Sequence, residues 1–289
     1  SNNELITDTL NGFFRAFNYS YSLLASTKIY GTLKFNNTKI KGIRHVMSPS
    51  ISLSYTPDFS NNKFNFYDNV QIDSLGNNQE YSYYQNGIYG FPSSQSNSSI
   101  RFSLGNIIEM KTITKDTINP IKKIKILEGL NVSMSYNFMQ DSFNFSNILI
   151  NGRTRLFNRF DITFNSTYDP YIYENGKRID KLYVLEKYFP ARLTNANASL
   201  NFRLNNRNNK NNNEDITHWL DYVDFDIPWN LSVNYSINFN KQSLLNNIRE
   251  SLNFSGDLKL TEKWKIGFNS GFDFTAKDLS YTSLNIYRD

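Results

Sequence analysis

The sequence predicts an all-β fold built from long antiparallel strands, and three observations support this. Apolar and polar residues alternate along many segments, which places successive side chains on opposite faces of a sheet. Many of these segments run for about 9 to 12 residues, whereas strands of soluble proteins are usually about 5 or 6 residues long. No apolar run approaches the roughly 18 residues that a membrane-spanning helix needs, so a helical membrane protein is excluded.

The alternation is clearest at Trp229, where apolar residues up to Phe239 alternate with only Asn and Ser. Further segments with this pattern begin at Phe17, Ile29, Ile51, Ile100, Leu130, Phe160, Ala196, Leu252 and Trp264. With less regular stretches they give roughly 12 to 14 strands, many long enough to cross a bilayer when tilted. We therefore predict a fragment of a large antiparallel transmembrane β-barrel of the outer-membrane kind, with residues 1–289 as part of a single domain.

The predicted connections have two sizes. Residues 140–142 and 261–262 indicate tight hairpins, whereas 61–97 and 169–194 are predicted to be long loops that contain some strand. Residues 205–215 are mostly Asn with a few charges and form a low-complexity segment. Outer-membrane barrels carry short turns on one side and long loops on the other, and we expect the same arrangement here.

Composition narrows the class of protein. Aromatic residues make up 16% of the chain, which is too many for a disordered protein, while the mean hydropathy is −0.53. The net charge of +5 is spread along the chain and gives no sign of a nucleic-acid partner. The chain has no Cys, so neither disulfides nor thiolate metal sites are expected. No signal peptide is visible at Ser1, and we expect this to be an interior stretch of a longer precursor.

Two groups of short motifs resemble the barrel region of one family. The first group is STKIYGT at 26–32, GIRHVMSPS at 42–50 and SYTPDF at 54–59. Further matching pieces occur in the same order at 106–111, 123–127, 136–138, 141–142, 169–171, 227–229, 254–258, 261–266 and 284–289. Together they are similar to the lipopolysaccharide-assembly protein family LptD as found in the Bacteroidota. The motif residues are Arg44, His45, Pro49, Asp58, Asp169, Pro170, Trp264, Arg288 and Asp289.

The resemblance implies a translocon component that inserts lipopolysaccharide into the outer leaflet of the outer membrane. In that family a periplasmic β-jellyroll receives lipopolysaccharide from periplasmic Lpt bridge components, and the substrate leaves through an opening between the first and last strands. An LptE-like lipoprotein plugs the lumen, and outer-membrane lipid surrounds the barrel. We expect the jellyroll and the terminal strands to lie outside this sequence. The transport needs no cofactor and no enzymatic chemistry.

The residues give little support for a catalytic or metal site. His45 and His218 are the two histidines, and neither has the neighbours that a hydrolytic triad or a zinc site would need. Asp58, Asp141 and Asp169 stand where Asp caps turns, so a structural role is the simpler interpretation, and contact with lipopolysaccharide or its divalent cations is the alternative.

Aromatic residues near strand ends predict the aromatic girdles of a membrane barrel. Examples are Tyr55, Trp229, Trp264 and Tyr281. The neutral Asn, Ser and Thr of the polar positions suit a wet lumen, because soluble proteins favour Lys and Glu on outward faces. Alternation alone also fits a soluble β-rich surface adhesin or sandwich protein, and a barrel could instead be a TonB-dependent nutrient transporter.

Overall fold

The computed structural model describes residues 15–36, 39–73, 75–88, 90–114, 120–157, 159–187, 189–206, 228–242, 245–261 and 263–288. Seventeen strands and one short helix lie in these residues. The first nine strands are β1 (Tyr21–Ser26), β2 (Ile29–Lys34), β3 (Ile40–Thr56), β4 (Tyr67–Gln71), β5 (Asn78–Ser82), β6 (Asn97–Ile113), β7 (Ile121–Asn137), β8 (Ile148–Leu156) and β9 (Phe160–Asp169). The remaining elements are β10 (Tyr171–Glu174), β11 (Lys177–Leu182), α1 (Tyr183–Lys187), β12 (Arg192–Asn206), β13 (Trp229–Gln242), β14 (Leu245–Lys259), β15 (Trp264–Asp273), β16 (Asp278–Leu279) and β17 (Ser283–Arg288).

Thirteen of these strands form one antiparallel sheet, which confirms the predicted all-β class and strand number. The order is β1-β3-β6-β7-β8-β9-β12-β13-β14-β15-β16, with β2 also paired to β3 and β17 also paired to β15. Most strands that follow one another in the chain therefore lie side by side. The exceptions are the two inserted hairpins and the pairs β1/β2 and β16/β17, whose members both pair with the same neighbouring strand. These hairpins are β4–β5 and β10–β11.

Most of the strands predicted from alternation are present. Several exceed the predicted length, since β3, β6 and β7 each contain 17 residues and β12 and β14 each contain 15. The segment predicted to begin at Phe17 becomes a strand only at Tyr21. Alternation does not predict strand β8, because Gly152 and Thr154 interrupt its apolar face.

Pro49 explains why β1 and β2 are two strands. Ser26 lies opposite Ser50 and Ile29 lies opposite Met47, so the register is the same on both sides of the break. The amide of Thr27 donates to the carbonyl oxygen of Pro49 at 3.2 Å. Proline has no N–H to return the second bond of this pair, and the ladder is interrupted there.

The chain divides into two compact units, each described separately. The first comprises Ser50–Phe102 and Met134–Ser146 together with the residues up to Ser26, and the described part begins at residue 15. Its core is a cluster of aromatic rings around Phe59, which is fully buried. Tyr19 lies 5.3 Å from Phe59 between ring centroids, and Phe17 lies 5.2 Å from Phe66.

The second unit comprises Thr27–Pro49, Ser103–Ser133 and Asn147–Asp289. At one end of its strands β9 and β12 are joined through the β10–β11 hairpin and α1, over residues 170–191. At the other end Asn206 pairs with Trp229, so a connection of more than twenty residues, 207–228, starts beside the short turn between β8 and β9. The expectation of short turns on one side and long loops on the other is therefore wrong for this unit. Residues 207–215 of the Asn-rich segment lie outside the described residues.

Burial in the large sheet is unusual. Among the described residues, the buried hydrophobic side chains are Val46, Phe59, Phe66, Tyr171, Ile172 and Ala191. Only Val46 belongs to the large sheet, and the others lie in the two long insertions. Within the described ranges, no helix has the length and apolar character required to span a membrane.

Candidate functional site

The register of the second unit gathers its polar side chains on one face of the sheet, here called the polar face. Asn151 lies opposite Asn165, Asn165 opposite Asn197, and Asn197 opposite Asn238. Asn131 on β7 extends this row, since it lies opposite Asn151. Five adjacent strands thus present asparagine at the same height, and we call this row the asparagine row.

Hydrogen bonds between side chains connect the polar face across the strands. Asn197 Nδ2 donates to Asn165 Oδ1 at 2.8 Å, and Ser103 Oγ donates to Asn131 Oδ1 at 2.8 Å. The hydroxyls of Thr163 and Ser199 lie 2.7 Å apart in the neighbouring row. Each amide or hydroxyl keeps further donor or acceptor capacity, so this surface can bind water or polar ligands without ionic groups.

Charged side chains on this face lie mainly towards the end where β2 meets β3. Arg44 Nη2 lies 2.5 Å from Glu109 Oε2, and Arg153 Nη2 lies 3.1 Å from Glu128 Oε2. Arg155 is also paired, with Asp161 on the adjacent strand. These pairs are partly exposed, so solvent screens them and each contributes little to stability.

The opposite face of the same strands is apolar, and it is not covered. Leu200, at the centre of β12, is 37% exposed, and Trp264 at the start of β15 is 41% exposed. Neighbouring rings pack against one another within the face, as Phe160 and Phe202 do at 4.5 Å between centroids. A contiguous exposed apolar surface of this kind marks a membrane or protein contact.

The structure separates Arg44 and His45, which are adjacent in the motif. Arg44 lies on the polar face, whereas His45 lies on the apolar face, where its Nε2 is 3.0 Å from Asn106 Oδ1. Asn106 also donates to the carbonyl oxygen of Leu130, at 3.4 Å. This contact gives the side chains of His45 and Asn106 a polar partner on the apolar face, and the structural role of His45 stays a prediction.

Asp58 and Asp169 both cap turns, each in its own unit. Asp58 Oδ1 accepts from the backbone N–H of Ser60 at 2.8 Å. Asp169 is 6% exposed and accepts from the N–H of Tyr171 at 3.0 Å. It also pairs with two arginines, since its oxygens lie 2.9 Å from Arg178 Nη2 and 3.6 Å from Arg192 Nη2.

Pro170, Trp264 and Arg288 lie at strand ends. The carbonyl oxygen of Pro170 accepts from the N–H of Tyr183 at 2.7 Å, which anchors the insertion at its base. Trp264 lies opposite Arg288, whose guanidinium carbon is 5.4 Å from the centroid of the indole ring. Asp289 and His218 lie outside the described residues.

Sequence reasoning missed the partners that these residues acquire. Arg178 and Arg192 hold Asp169, and Asn106 and Glu109 hold His45 and Arg44, each across strands or an insertion. Alternation alone could have assigned Glu109 to the polar face, but only the register shows which charge it meets. Within the part of the chain that the structure describes, no three His, Cys, Asp or Glu side chains are grouped to hold a metal ion.

Long antiparallel strands with one polar face and one uncovered apolar face are typical of outer-membrane β-sheet proteins. The family model described as LptD protein matches residues 1–171, and the chain belongs to this family of outer-membrane proteins of lipopolysaccharide transport. The family acts in transport and assembly and is not a family of enzymes. No curated protein and no solved structure matches the chain.

Proposed function

We propose that this chain is part of an outer-membrane β-barrel that inserts lipopolysaccharide into the outer leaflet, as in LptD proteins of the Bacteroidota. The observation that carries the proposal is the uncovered apolar face of the large sheet. A soluble sheet would bury this face in a core, whereas of the described sheet residues only Val46 is a buried hydrophobic. The proposal therefore places the apolar face against lipid.

The polar face is the proposed lining of a wet lumen. Neutral amides and hydroxyls can bind the sugars of a lipopolysaccharide without holding them as strongly as fixed charges would. An LptE-like lipoprotein plug would meet the same surface, and periplasmic Lpt bridge components would deliver the substrate. Trp229 and Trp264 lie on the apolar face at one end of their strands, where they would form part of an aromatic girdle.

Closure of the barrel is part of the proposal. In the described residues β1 and β2 pair with β3, and β16 and β17 pair with β15, so each end of the strand order keeps an unpaired edge. Unpaired backbone groups in lipid cost several kcal/mol each, as a general estimate. The proposal requires that both edges be covered, and a seam between edge strands would provide the lateral exit.

Two alternatives are less consistent with the observations. A soluble adhesin leaves the exposed apolar face unexplained, and membership in the LptD family favours lipopolysaccharide transport over TonB-dependent nutrient uptake. The test is depletion of the full-length protein in its native host, followed by measurement of lipopolysaccharide on the cell surface. Loss from the surface with accumulation beneath it supports the proposal. Unchanged surface lipopolysaccharide, with loss of nutrient uptake or adhesion, contradicts it.

A further inference from the structure

A cavity of about 540 Å³ opens at the end of the second unit where β2 turns into β3 and β6 turns into β7. Its size is within the general range of pockets that hold small ligands. The lining residues are Thr32, Lys34, Lys41, Gly42, Ile43, Arg44, Lys111, Ile113, Pro120 and Ile121. Four of them are cationic and none is acidic.

The floor of this cavity belongs to the polar face. Lys34 lies opposite Gly42, and Thr32 lies opposite Arg44, so these side chains share one face with Glu109, the ion-pair partner of Arg44. A Cβ at Gly42 would lie 2.6 Å from the carbonyl oxygen of Leu33, so only glycine fits there without a shift of the backbone. The glycine therefore permits close approach of the β2 backbone at this point of the floor.

Among the described lining residues, positive charge exceeds negative charge. Glu109 balances Arg44, but Lys34, Lys41 and Lys111 have no carboxylate among the lining residues. Lys122, Lys123 and Lys125 follow directly on β7 and add positive charge to the same end of the strand. Such a cluster of positive charges attracts anions, and a bound anion would reduce the repulsion among the lysines.

The remaining wall is apolar. Ile113, Pro120 and Ile121 contribute it, and the backbone bonds from Ile113 N to Lys39 O and from Thr114 N to Pro120 O, each 2.9 Å, hold this wall in place. A cavity with cations on the floor and branched aliphatic groups on one side suits a ligand that is anionic at one end and apolar at the other.

We propose that this cavity binds the phosphate-bearing head group of a lipid. A phosphate monoester carries about −1.5 to −2 charges at pH 7, which is complementary to the lysines among the described lining residues, and it accepts several hydrogen bonds at once. The inference rests on the proposed placement of the sheet in a membrane, which would bring the strand ends, where the cavity opens, to the level of the lipid head groups. It assigns a ligand to one part of the polar face.

The test uses the full-length protein in phosphatidylcholine nanodiscs, with phosphatidic acid as the probe and native mass spectrometry as the readout. We expect selective retention of phosphatidic acid, and about tenfold weaker binding in the variant Lys34→Gln/Lys111→Gln. Lys34→Arg/Lys111→Arg should bind as the original protein does. The matched control is Lys259→Gln/Lys263→Gln, which removes two exposed lysines at the same end of other strands and should leave binding unchanged.

Equal retention of phosphatidic acid and phosphatidylcholine would overturn the proposal, and so would equal losses in the cavity and control variants. Displacement by inorganic phosphate at the concentration of the lipid would show a site for free phosphate and overturn the lipid assignment. The readout is binding to purified protein. A negative binding result would therefore contradict the lipid site but not the proposed export function, which is tested separately by depletion in cells.

Discussion

Asn197 and Asn165 occupy directly opposed positions on β12 and β9, and the Nδ2 group of Asn197 donates to Oδ1 of Asn165 at 2.8 Å. Asn197 Nδ2 also lies 2.8 Å from Oδ1 of Asn195 on its own strand. The asparagine row is thus connected both along and across strands. Amide ladders of this kind fix register, because a slip by one residue would place asparagine on the apolar face.

The Asn165–Asn197 bond should give a measurable coupling. We expect Asn165→Ala and Asn197→Ala each to lower the free energy of unfolding, and their double-mutant cycle to give a coupling of about 0.5–1 kcal/mol. Urea unfolding of the full-length protein in vesicles measures it. The pair Asn165 and Asn238, which do not face each other, serves as control and should be additive.

Asp169 should be the most sensitive of the motif residues. It is 6% exposed and pairs with Arg178 and Arg192, so Asp169→Asn leaves two guanidinium groups without their carboxylate. We expect a loss of about 2 kcal/mol, with faster proteolysis within residues 170–191. Asp141→Asn, at an exposed turn, is the control. Equal protease resistance of the two variants would show that Asp169 does not hold the insertion.

The stability of the β4–β5 hairpin should fall at both acidic and alkaline pH. A hydrogen bond from the Asn69 amide, with a further one from the Tyr83 hydroxyl, lowers the pKa of Asp68. The bond to Asp68 raises the pKa of Tyr83 to about 12. The ionised Asp68 carboxylate stabilises the hairpin above its unfolded-state pKa of 3.8. This stabilisation is lost as the pH falls through the lower pKa that Asp68 has in the folded state.

The stabilisation by the Tyr83 hydroxyl depends on pH in the opposite direction. It is fully present below the unfolded pKa of 10.0 and is lost as pH rises through about 12. Amide exchange, corrected for the intrinsic effect of pH, should therefore show constant protection between these limits. In Tyr83→Phe the alkaline loss should disappear, while the Asp68–Asn69 bond should keep part of the acid response. An unchanged alkaline profile would exclude Tyr83 as its source.

Pro49 offers a gain of stability. Threonine at this position would supply the missing N–H, which can donate to the carbonyl oxygen of Thr27 in the existing register. We expect Pro49→Thr to join β1 and β2 into one strand, slow exchange of the Thr27 amide and add about 0.5–1 kcal/mol. Faster exchange at Thr27 would mean that the proline ring itself supports this edge.

How much the sequence predicted depended on the regularity of each strand. β13 was evident because every second residue from Trp229 to Phe239 is apolar and the rest are Asn or Ser. β8 was missed because its apolar face contains Gly152 and Thr154. The ring of Phe164 on β9 lies over Gly152 and fills the position that a side chain would take, so the strand is complete only with its neighbour.

The candidate site was less accessible to sequence reasoning. Alternation assigns Asn151, Asn165, Asn197 and Asn238 to polar positions, but their alignment in one row depends on the register and on a shift between Leu193 and Asn195. The cavity lined by Lys34 and Lys111 joins residues that are far apart in the chain. Neither relationship leaves a local pattern in the sequence.

The central claim is that the two faces of the sheet meet lipid and water respectively, and cysteine labelling in β12 tests it most directly. The 289-residue sequence contains no Cys, so single substitutions at Asn197 and Ala198 provide adjacent probes on opposite faces. In the full-length protein in intact outer membranes, with no other cysteine, a charged maleimide should label Asn197→Cys, whereas Ala198→Cys should react only after detergent is added. Equal labelling of both positions, or labelling of Ala198→Cys alone, would contradict the account.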